Sequence, residues 1–144
     1  IEIGGEIRVK GSNVQDKPWA IAIERPKLSA DIGEGFDWVM DLNNQATATS
    51  GDYRNYFEID GEIYSHEIDP RTGYPSRTGI TSATVTAPNC TDADALATAL
   101  IIMGEKEGLQ LVESLEDVEA FLILREGWDR FRWIKSSGMK VRER

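Results

Sequence analysis

Residues 80–103 read ITSATVTAPNCTDADALATALIIM, and this stretch contains the change from strand to helix that decides the fold class. Its first part, residues 80–87, is rich in Thr and Val, which is typical of a β-strand. Thr91 is then followed three residues later by Asp94, which is the spacing of a helix capping box. Residues 95–103 are rich in Ala and Leu, and we predict that they continue as a helix.

Strands dominate the sequence on the N-terminal side of this stretch. Alternating or continuous apolar residues predict further strands at 1–3, 7–9, 19–23, 38–42, 56–59, 62–65 and 120–124. Asp60-Gly61 joins two of them and accommodates the positive φ angles of a tight hairpin turn. A second helix is predicted at 107–115, and the tail from Trp128 onward stays unassigned. Hairpin-linked strands with two helices predict an α+β domain, with helices on one face of an antiparallel sheet.

Composition excludes several classes of function. The chain has 144 residues, the length of one domain, and a net charge of -9 from 25 acidic and 16 basic residues. Nucleic-acid and anionic-membrane surfaces need basic patches, so both are disfavoured, and a phosphate ligand would require a metal ion or local cations. Cys90 is the single cysteine, which excludes an internal disulfide. Neither a membrane-spanning apolar run nor a signal peptide is visible, and the chain opens without Met, as a segment of a longer protein would.

The single histidine, His66, lies in an unusual loop. It follows a predicted strand and precedes the Pro- and Gly-containing run Glu67 to Pro75, with Asp69 three residues away. Histidine is the side chain most easily poised to move a proton near neutral pH. His66 is therefore a candidate acid/base or phosphate contact with Asp69 orienting it or contacting the ligand, or else a plain loop histidine before an Asp-Pro turn.

Asp94 and Thr98 lie four residues apart on the predicted helix, so they share one face. A carboxylate and a hydroxyl so placed offer two hard oxygen ligands for Mg²⁺. The alternative is structural: Asp94 at the third helical position stabilises the helix start, and Thr98 bonds back to a backbone carbonyl.

Residues 48–53 form a small, polar, Gly-containing segment after a strand. Its N–H and hydroxyl groups, with Thr49, Ser50 and Gly51 as the candidate contacts, can cradle phosphates. An ordinary tight connection is the alternative.

In this order, the motifs resemble the C-terminal half of the ApbE-type FAD:protein FMN transferases. The matching segments are IGGEIR at 3–8, PWAIAI at 18–23, ATSGDY at 48–53, SHEIDPRTGYP at 65–75 and ADALATAL at 93–100. The resemblance implies a T-fold-like α+β domain and a Mg²⁺-dependent reaction on FAD. Such enzymes break the pyrophosphate, transfer FMN to a threonine hydroxyl of a target flavoprotein and release AMP, and some only hydrolyse FAD.

Carried over to this chain, the resemblance implies that Asp94 and Thr98 bind the metal and that His66 assists proton transfer from the acceptor hydroxyl. Ile68 and Asp69 fall where the family's loop approaches FAD. Family members are usually exported and lipid-anchored, which implies an extracytoplasmic location through an anchor outside this chain. Glu6 replaces the usual Asp after the double glycine, which leaves any close role of that carboxylate open.

The N-terminal half of the family's domain is absent from these 144 residues. We therefore expect them to bind FAD weakly and to transfer FMN poorly alone. Three other functions stay open beside the transferase: an FAD pyrophosphatase, a non-catalytic flavin-binding module, and a structural or partner-docking domain in which Asp94 acts only on stability.

Overall fold

The computed structural model describes residues 1–26, 35–51, 56–59, 62–127 and 130–143. The first strands along the described chain are β1 (Glu2–Ile3), β2 (Glu6–Arg8), β3 (Trp19–Glu24), β4 (Phe36–Leu42), β5 (Ala46–Gly51), β6 (Tyr56–Ile59) and β7 (Glu62–Ser65). They are followed by β8 (Ile68–Asp69), β9 (Tyr74–Pro75), β10 (Ile80–Ala87), β11 (Glu119–Arg125), β12 (Phe131–Lys135) and β13 (Val141–Glu143). The helices are α1 (Cys90–Met103) and α2 (Glu105–Ser114), between β10 and β11. The predicted α+β class is confirmed.

Six strands form one antiparallel sheet in the order β1-β2-β5-β10-β11-β12. β10 pairs with β5 on one side and β11 on the other, and all of its residues are buried. Because an antiparallel sheet with one solvated face would show polar, exposed residues at every second position, β10 must be covered on both faces. The sheet is therefore the middle of three layers.

Both helices pack on one face of this sheet, as the sequence predicted. Ala93 and Ala97 of α1 are buried against the strands, and Leu100 and Ile101 continue the contact one turn further along. Residues three and four apart share a helix face, so these side chains form one apolar stripe. Gly108 of α2 lies against α1, where an added Cβ would stand 2.9 Å from Leu100 Cδ2. This glycine allows the two helices to approach closely.

A second, three-stranded sheet in the order β13-β4-β3 covers the other face. Its core side chains Trp38, Met40 and Leu42 pack with Phe121 and Ile123 of β11. The rings of Trp38 and Phe121 have their centroids 5.3 Å apart. Since successive residues of β11 point to opposite faces, this strand contributes to both cores. The sequence predicted β3 and β4 as strands but not their packing as a separate layer.

The start of α1 differs from the prediction. Asn89 is the N-cap, and its side chain accepts a hydrogen bond of 2.9 Å from the backbone N–H of Asp92. The capping box predicted at Thr91 and Asp94 is therefore wrong, because Asn89 and Asp92 offer the same spacing two residues earlier and asparagine is a strong N-cap. Cys90 is the first helical residue, so Asp94 lies beyond the first turn.

Other boundaries also moved. The second helix starts at Glu105 instead of residue 107, and the unassigned tail forms β12 and β13. The hairpin predicted at 56–65 is confirmed in its two strands, where Ile59 pairs with Glu62. The turn residues Asp60 and Gly61 and the tail residue Trp128 lie outside the described residues. In the part of the chain that is described, no helix is long and apolar enough to cross a membrane.

Candidate functional site

The first predicted site residues meet between α1 and β5. The hydroxyls of Ser50 and Thr98 are hydrogen-bonded at 2.9 Å. Asp94 lies one turn before Thr98 and is exposed, and its side chain makes no hydrogen bond or ion pair with any described residue. A hydroxyl has one donor and two acceptor lone pairs, so Thr98 can donate to Ser50 and still offer oxygen to a cation. Asp94 and Thr98 together therefore present two hard oxygen ligands on one face of α1.

These two ligands do not complete a metal shell. Among the described residues, no group of three or more His, Cys, Asp or Glu side chains is placed to hold a metal ion. Mg²⁺ commonly takes one or two protein oxygens and fills its octahedral shell with water and substrate phosphates. The donor set of Asp94 and Thr98 fits that mode of binding and does not fit an all-protein cage.

β5 carries the three residues predicted to contact phosphates, Thr49, Ser50 and Gly51. The side chains of Thr49 and Ser50 point to opposite faces of the sheet. Thr49, Ser50 and Gly51 lie within this strand, whereas the sequence placed them in a segment that follows a strand. Ser50 faces α1, whereas Thr49 bonds the hydroxyl of Thr84 in β10 at 2.8 Å. Successive strand residues point to opposite faces, so one ligand can touch Ser50 or Thr49 by its side chain, not both. Asp52 of the same motif lies outside the described residues.

The histidine loop, residues 66–78, begins where β7 ends. His66 has a side chain that is 40% exposed, whereas its neighbours Ser65 and Glu67 are buried. The Ser65 hydroxyl donates to the Glu67 carboxylate, and His66 Nδ1 lies 3.2 Å from Glu67 Oε2. The structure thus places Glu67 beside the imidazole, whereas Asp69 binds Arg71.

Asp69 closes the tight turn between β8 and β9. Its carboxylate accepts from the backbone N–H of Arg71 at 2.9 Å and from the Arg71 guanidinium at 2.9 and 3.0 Å. Its carbonyl accepts from Gly73, whose φ of +74° is a conformation that favours glycine. The hydrogen bond from the Arg71 side chain holds the pKa of Asp69 below its usual range. The turn is therefore tied by an ionised carboxylate at neutral pH.

The far side of the loop is anchored on the end of α1. Ser76 and Thr78 both donate their hydroxyls to the carbonyl of Ile101, at 2.9 and 2.6 Å. Arg71 reaches the carbonyl of Ile102 at 3.4 Å. The last four carbonyls of a helix have no partner within the helix, and the loop supplies donors for two of them, those of Ile101 and Ile102.

One helix consequently holds both groups of candidate residues. Asp94 and Thr98 lie in the first part of α1, and the histidine loop is bonded to Ile101 and Ile102 near its end. Thr98 and Ile102 are one turn apart, which is a rise of about 6 Å along the axis. The positions of the two groups of candidate residues therefore both depend on the position of α1.

An open cavity of about 390 Å³ lies between the loop and the end of α1. Its lining includes Tyr64, Arg71, Tyr74, Arg77 and Met103. The Arg77 guanidinium stands 5.1 Å from the centre of the Tyr64 ring, a cation–π contact. The volume is within the usual range for ligand pockets. Asp69 also lines this cavity and is paired with Arg71, so the lining carries both signs of charge.

Several residues of this site were not predicted from the sequence. Glu67, Arg71, Ser76 and Thr78 all lie in or beside the quoted loop motif, but no local pattern says what they contact. The one signal for Glu67 was its place directly after His66, and no local pattern marks its carboxylate as buried.

Arg71 offers a test of the loop's rigidity. We expect Arg71→Ala to leave the urea midpoint nearly unchanged, because the side chain is 57% exposed and exposed ion pairs contribute little to stability. Amide hydrogen exchange in residues 66–78 should nevertheless become faster, since the bonds of the guanidinium to the Asp69 carboxylate and to the Ile102 carbonyl are both lost. Arg142→Ala is the matched control, because Arg142 is equally exposed and paired with Asp41. Unchanged exchange in Arg71→Ala would show that the loop does not depend on these bonds.

Comparison with known proteins identifies the family of this chain. A model of the ApbE family matches residues 1–122, which is most of the chain. The chain belongs to the ApbE family. It is 46% identical over 125 residues, 87% of this chain, to a protein of Haemophilus influenzae named FAD:protein FMN transferase. It is 44% identical over 140 residues, 97% of this chain, to a Vibrio cholerae protein of the same name.

Solved ApbE structures share the fold. The flavinyl transferase ApbE of Pseudomonas stutzeri, in its apo form, superposes with a TM-score of 0.75 at 38% identity. That alignment covers 94% of this chain and 40% of the P. stutzeri chain. Likewise, the chain spans 35% of the H. influenzae relative and 40% of the V. cholerae relative.

Proposed function

We propose that this chain contributes to the Mg²⁺-dependent transfer of FMN from FAD to a threonine hydroxyl of an acceptor flavoprotein, with release of AMP. The observation that carries the proposal is an exposed histidine, on a loop bonded to the same helix that presents Asp94 and Thr98. Membership of the ApbE family supports it, since the relatives named above are FAD:protein FMN transferases.

Asp94 and Thr98 would hold the magnesium ion. Both are oxygen donors on one helix face, and Asp94 has no other partner among the described residues. When bound, the ion supplies positive charge that neutralises the pyrophosphate oxygens. This agrees with the net charge of -9, since acidic residues outnumber basic ones in the chain and a metal ion would add positive charge.

The remaining steps use the chain's own residues. His66 accepts the proton of the acceptor hydroxyl, whose oxygen bonds to the FMN phosphorus while the bond to the bridging oxygen breaks. AMP leaves with that oxygen. Ile68, exposed beside His66, contacts the flavin side of FAD, and Asp69 holds the turn that presents it. Ser50, Gly51 and the Thr49 backbone lie on the strand beside Thr98 and bind phosphate oxygens.

Two further features follow from the resemblance and belong to the proposal. The antiparallel sheet with α1 and α2 on one face supports a T-fold-like unit. An extracytoplasmic, membrane-anchored location is proposed on the resemblance alone, and cell fractionation tests it.

The test uses the full-length gene product with FAD and Mg²⁺, with and without a lysate of the source organism. AMP release, together with a fluorescent protein band that survives denaturing electrophoresis, is expected for covalent FMN transfer. Mass spectrometry of the labelled band should place FMN on a threonine. AMP and free FMN without a labelled band would favour FAD pyrophosphatase activity instead. Retained FAD binding without AMP would leave only a flavin-binding module and contradict the proposal.

A further inference from the structure

The Glu67 side chain is only 4% exposed, although the adjacent His66 side chain is 40% exposed. An ionised carboxylate is costly to bury unless polar partners compensate for the lost water. Glu67 has two such partners: the hydroxyl of Ser65, which donates to it, and the imidazole of His66, whose Nδ1 lies 3.2 Å from Oε2. Glu67 is therefore a buried carboxylate placed directly against the candidate proton-transfer residue His66.

The contact distinguishes the two nitrogens of the imidazole. A neutral imidazole carries one N–H and one lone pair, and the hydrogen bond made by one nitrogen sets which tautomer is present. Nδ1 is the nitrogen that lies beside the Glu67 carboxylate, 3.2 Å from Oε2, and a proton on Nδ1 leaves the lone pair on Nε2. That lone pair is what His66 needs to accept a proton from a hydroxyl.

The carboxylate is held in place by the surrounding loop. The backbone N–H of Glu67 donates to the Ser65 hydroxyl at 3.2 Å, and its carbonyl accepts from the N–H of Ser76 at 2.9 Å. Ser76 is bonded in turn to the carbonyl of Ile101 in α1. The position of Glu67 is thus determined by the same helix that carries the proposed metal ligands.

We propose that Glu67 is a positioning residue, held by Ser65, that keeps His66 protonated on Nδ1 and free on Nε2. The inference rests on the proposed function, in which His66 receives the acceptor proton. It adds a residue that does not touch the substrate and that acts only through the imidazole.

The tautomer can be measured without any turnover. In the full-length gene product labelled with ¹⁵N-histidine, the His66 signals are those that disappear in His66→Gln. In samples whose imidazole signals are those of the neutral ring, we expect the wild type to show Nδ1–H and the Glu67→Met variant to lose that preference. Glu67→Gln keeps a carbonyl acceptor and should retain Nδ1–H. A wild-type Nε2–H tautomer, or one that Glu67→Met does not change, would overturn the inference even if FMN transfer is confirmed.

Kinetics provide the second readout. Glu67→Met should lower kcat for AMP release about 10- to 100-fold, as loss of a residue that orients a functional histidine commonly does. The KM for FAD should change little, and Glu67→Gln should recover part of the rate. Glu116→Met, at an exposed site between α2 and β11, controls for the lost charge. Wild-type kcat in Glu67→Met would overturn the inference.

Two situations need separate handling. If the wild type shows no AMP release, the proposed function fails, and the tautomer measurement alone then decides for or against the role of Glu67. If Glu67→Met does not fold, Ser65→Ala replaces it, because loss of the hydroxyl donor should weaken the Nδ1–H preference in the same direction. An unchanged tautomer and rate in Ser65→Ala would then count against the inference.

Discussion

Replacing His66 with alanine should lower the rates of AMP release and FMN transfer by about 10²- to 10⁴-fold, the range expected for loss of a general acid or base. The free energy of unfolding should fall by about 1 kcal/mol, since the side chain is 40% exposed but is one of the two polar partners of the buried Glu67 carboxylate. Rates are measured as AMP formed from FAD and Mg²⁺ by the full-length gene product, and stability as the urea midpoint.

Added imidazole provides the control for this variant. It can occupy the position of the missing exposed side chain and should restore part of the lost rate in His66→Ala, with no effect on the wild type. Rescue would separate lost proton transfer from a disturbed loop. Full activity of His66→Ala in the absence of imidazole would remove His66 from the mechanism.

The second large effect is expected at Asp94. Asp94→Asn should raise the Mg²⁺ concentration needed for half-maximal AMP release by at least about 10- to 100-fold, a loss that even outer partners of metal ligands produce. Stability should be nearly unchanged, because Asn89 and not Asp94 caps the helix. A Mg²⁺ titration of AMP release, beside the urea midpoint, measures both quantities.

Asp92→Asn is the matched control, two residues earlier on the same helix. Asp92 lies in the first turn and accepts from the Asn89 side chain at 2.7 Å, so its loss should cost about 0.3–1 kcal/mol. Its Mg²⁺ dependence should equal that of the wild type. If instead Asp94→Asn lowers stability and keeps the wild-type Mg²⁺ dependence, Asp94 is a structural residue and the proposed metal site is wrong.

Prediction from the sequence worked where the signal was local. The strand predicted at 80–87 and the helix predicted through Met103 both form. Apolar periodicity, the helix or strand propensity of each residue, and the Pro and Gly residues that end an element all act over a few residues. The predicted start of α1 was wrong because Asn89 and Thr91 are both residue types that favour an N-cap. The N-cap is the residue that adopts the extended backbone conformation, and in the structure that residue is Asn89.

The candidate site shows the same division. Asp94 and Thr98 were found because four residues of helix place them on one face. The bond from Thr98 to Ser50 joins residues 48 positions apart and has no local signal. Likewise, Thr49 was grouped with Ser50 as a phosphate contact, and only the strand pairing with β10 shows that their side chains face opposite layers.

By itself, the sequence determined the α+β class, the loop motif around His66 and the helical pairing of Asp94 with Thr98. Each depends on the spacing of residues along the chain, and a helix or strand of known period places residues of a given spacing on the same face. The tertiary structure alone decided that the histidine loop is bonded to the end of α1 and that the sheet has a second covering layer. It also showed Glu67 buried beside the imidazole. The loop anchoring and the second layer are contacts between residues distant in sequence, and the burial of Glu67 depends on how the folded chain excludes water from its side chain.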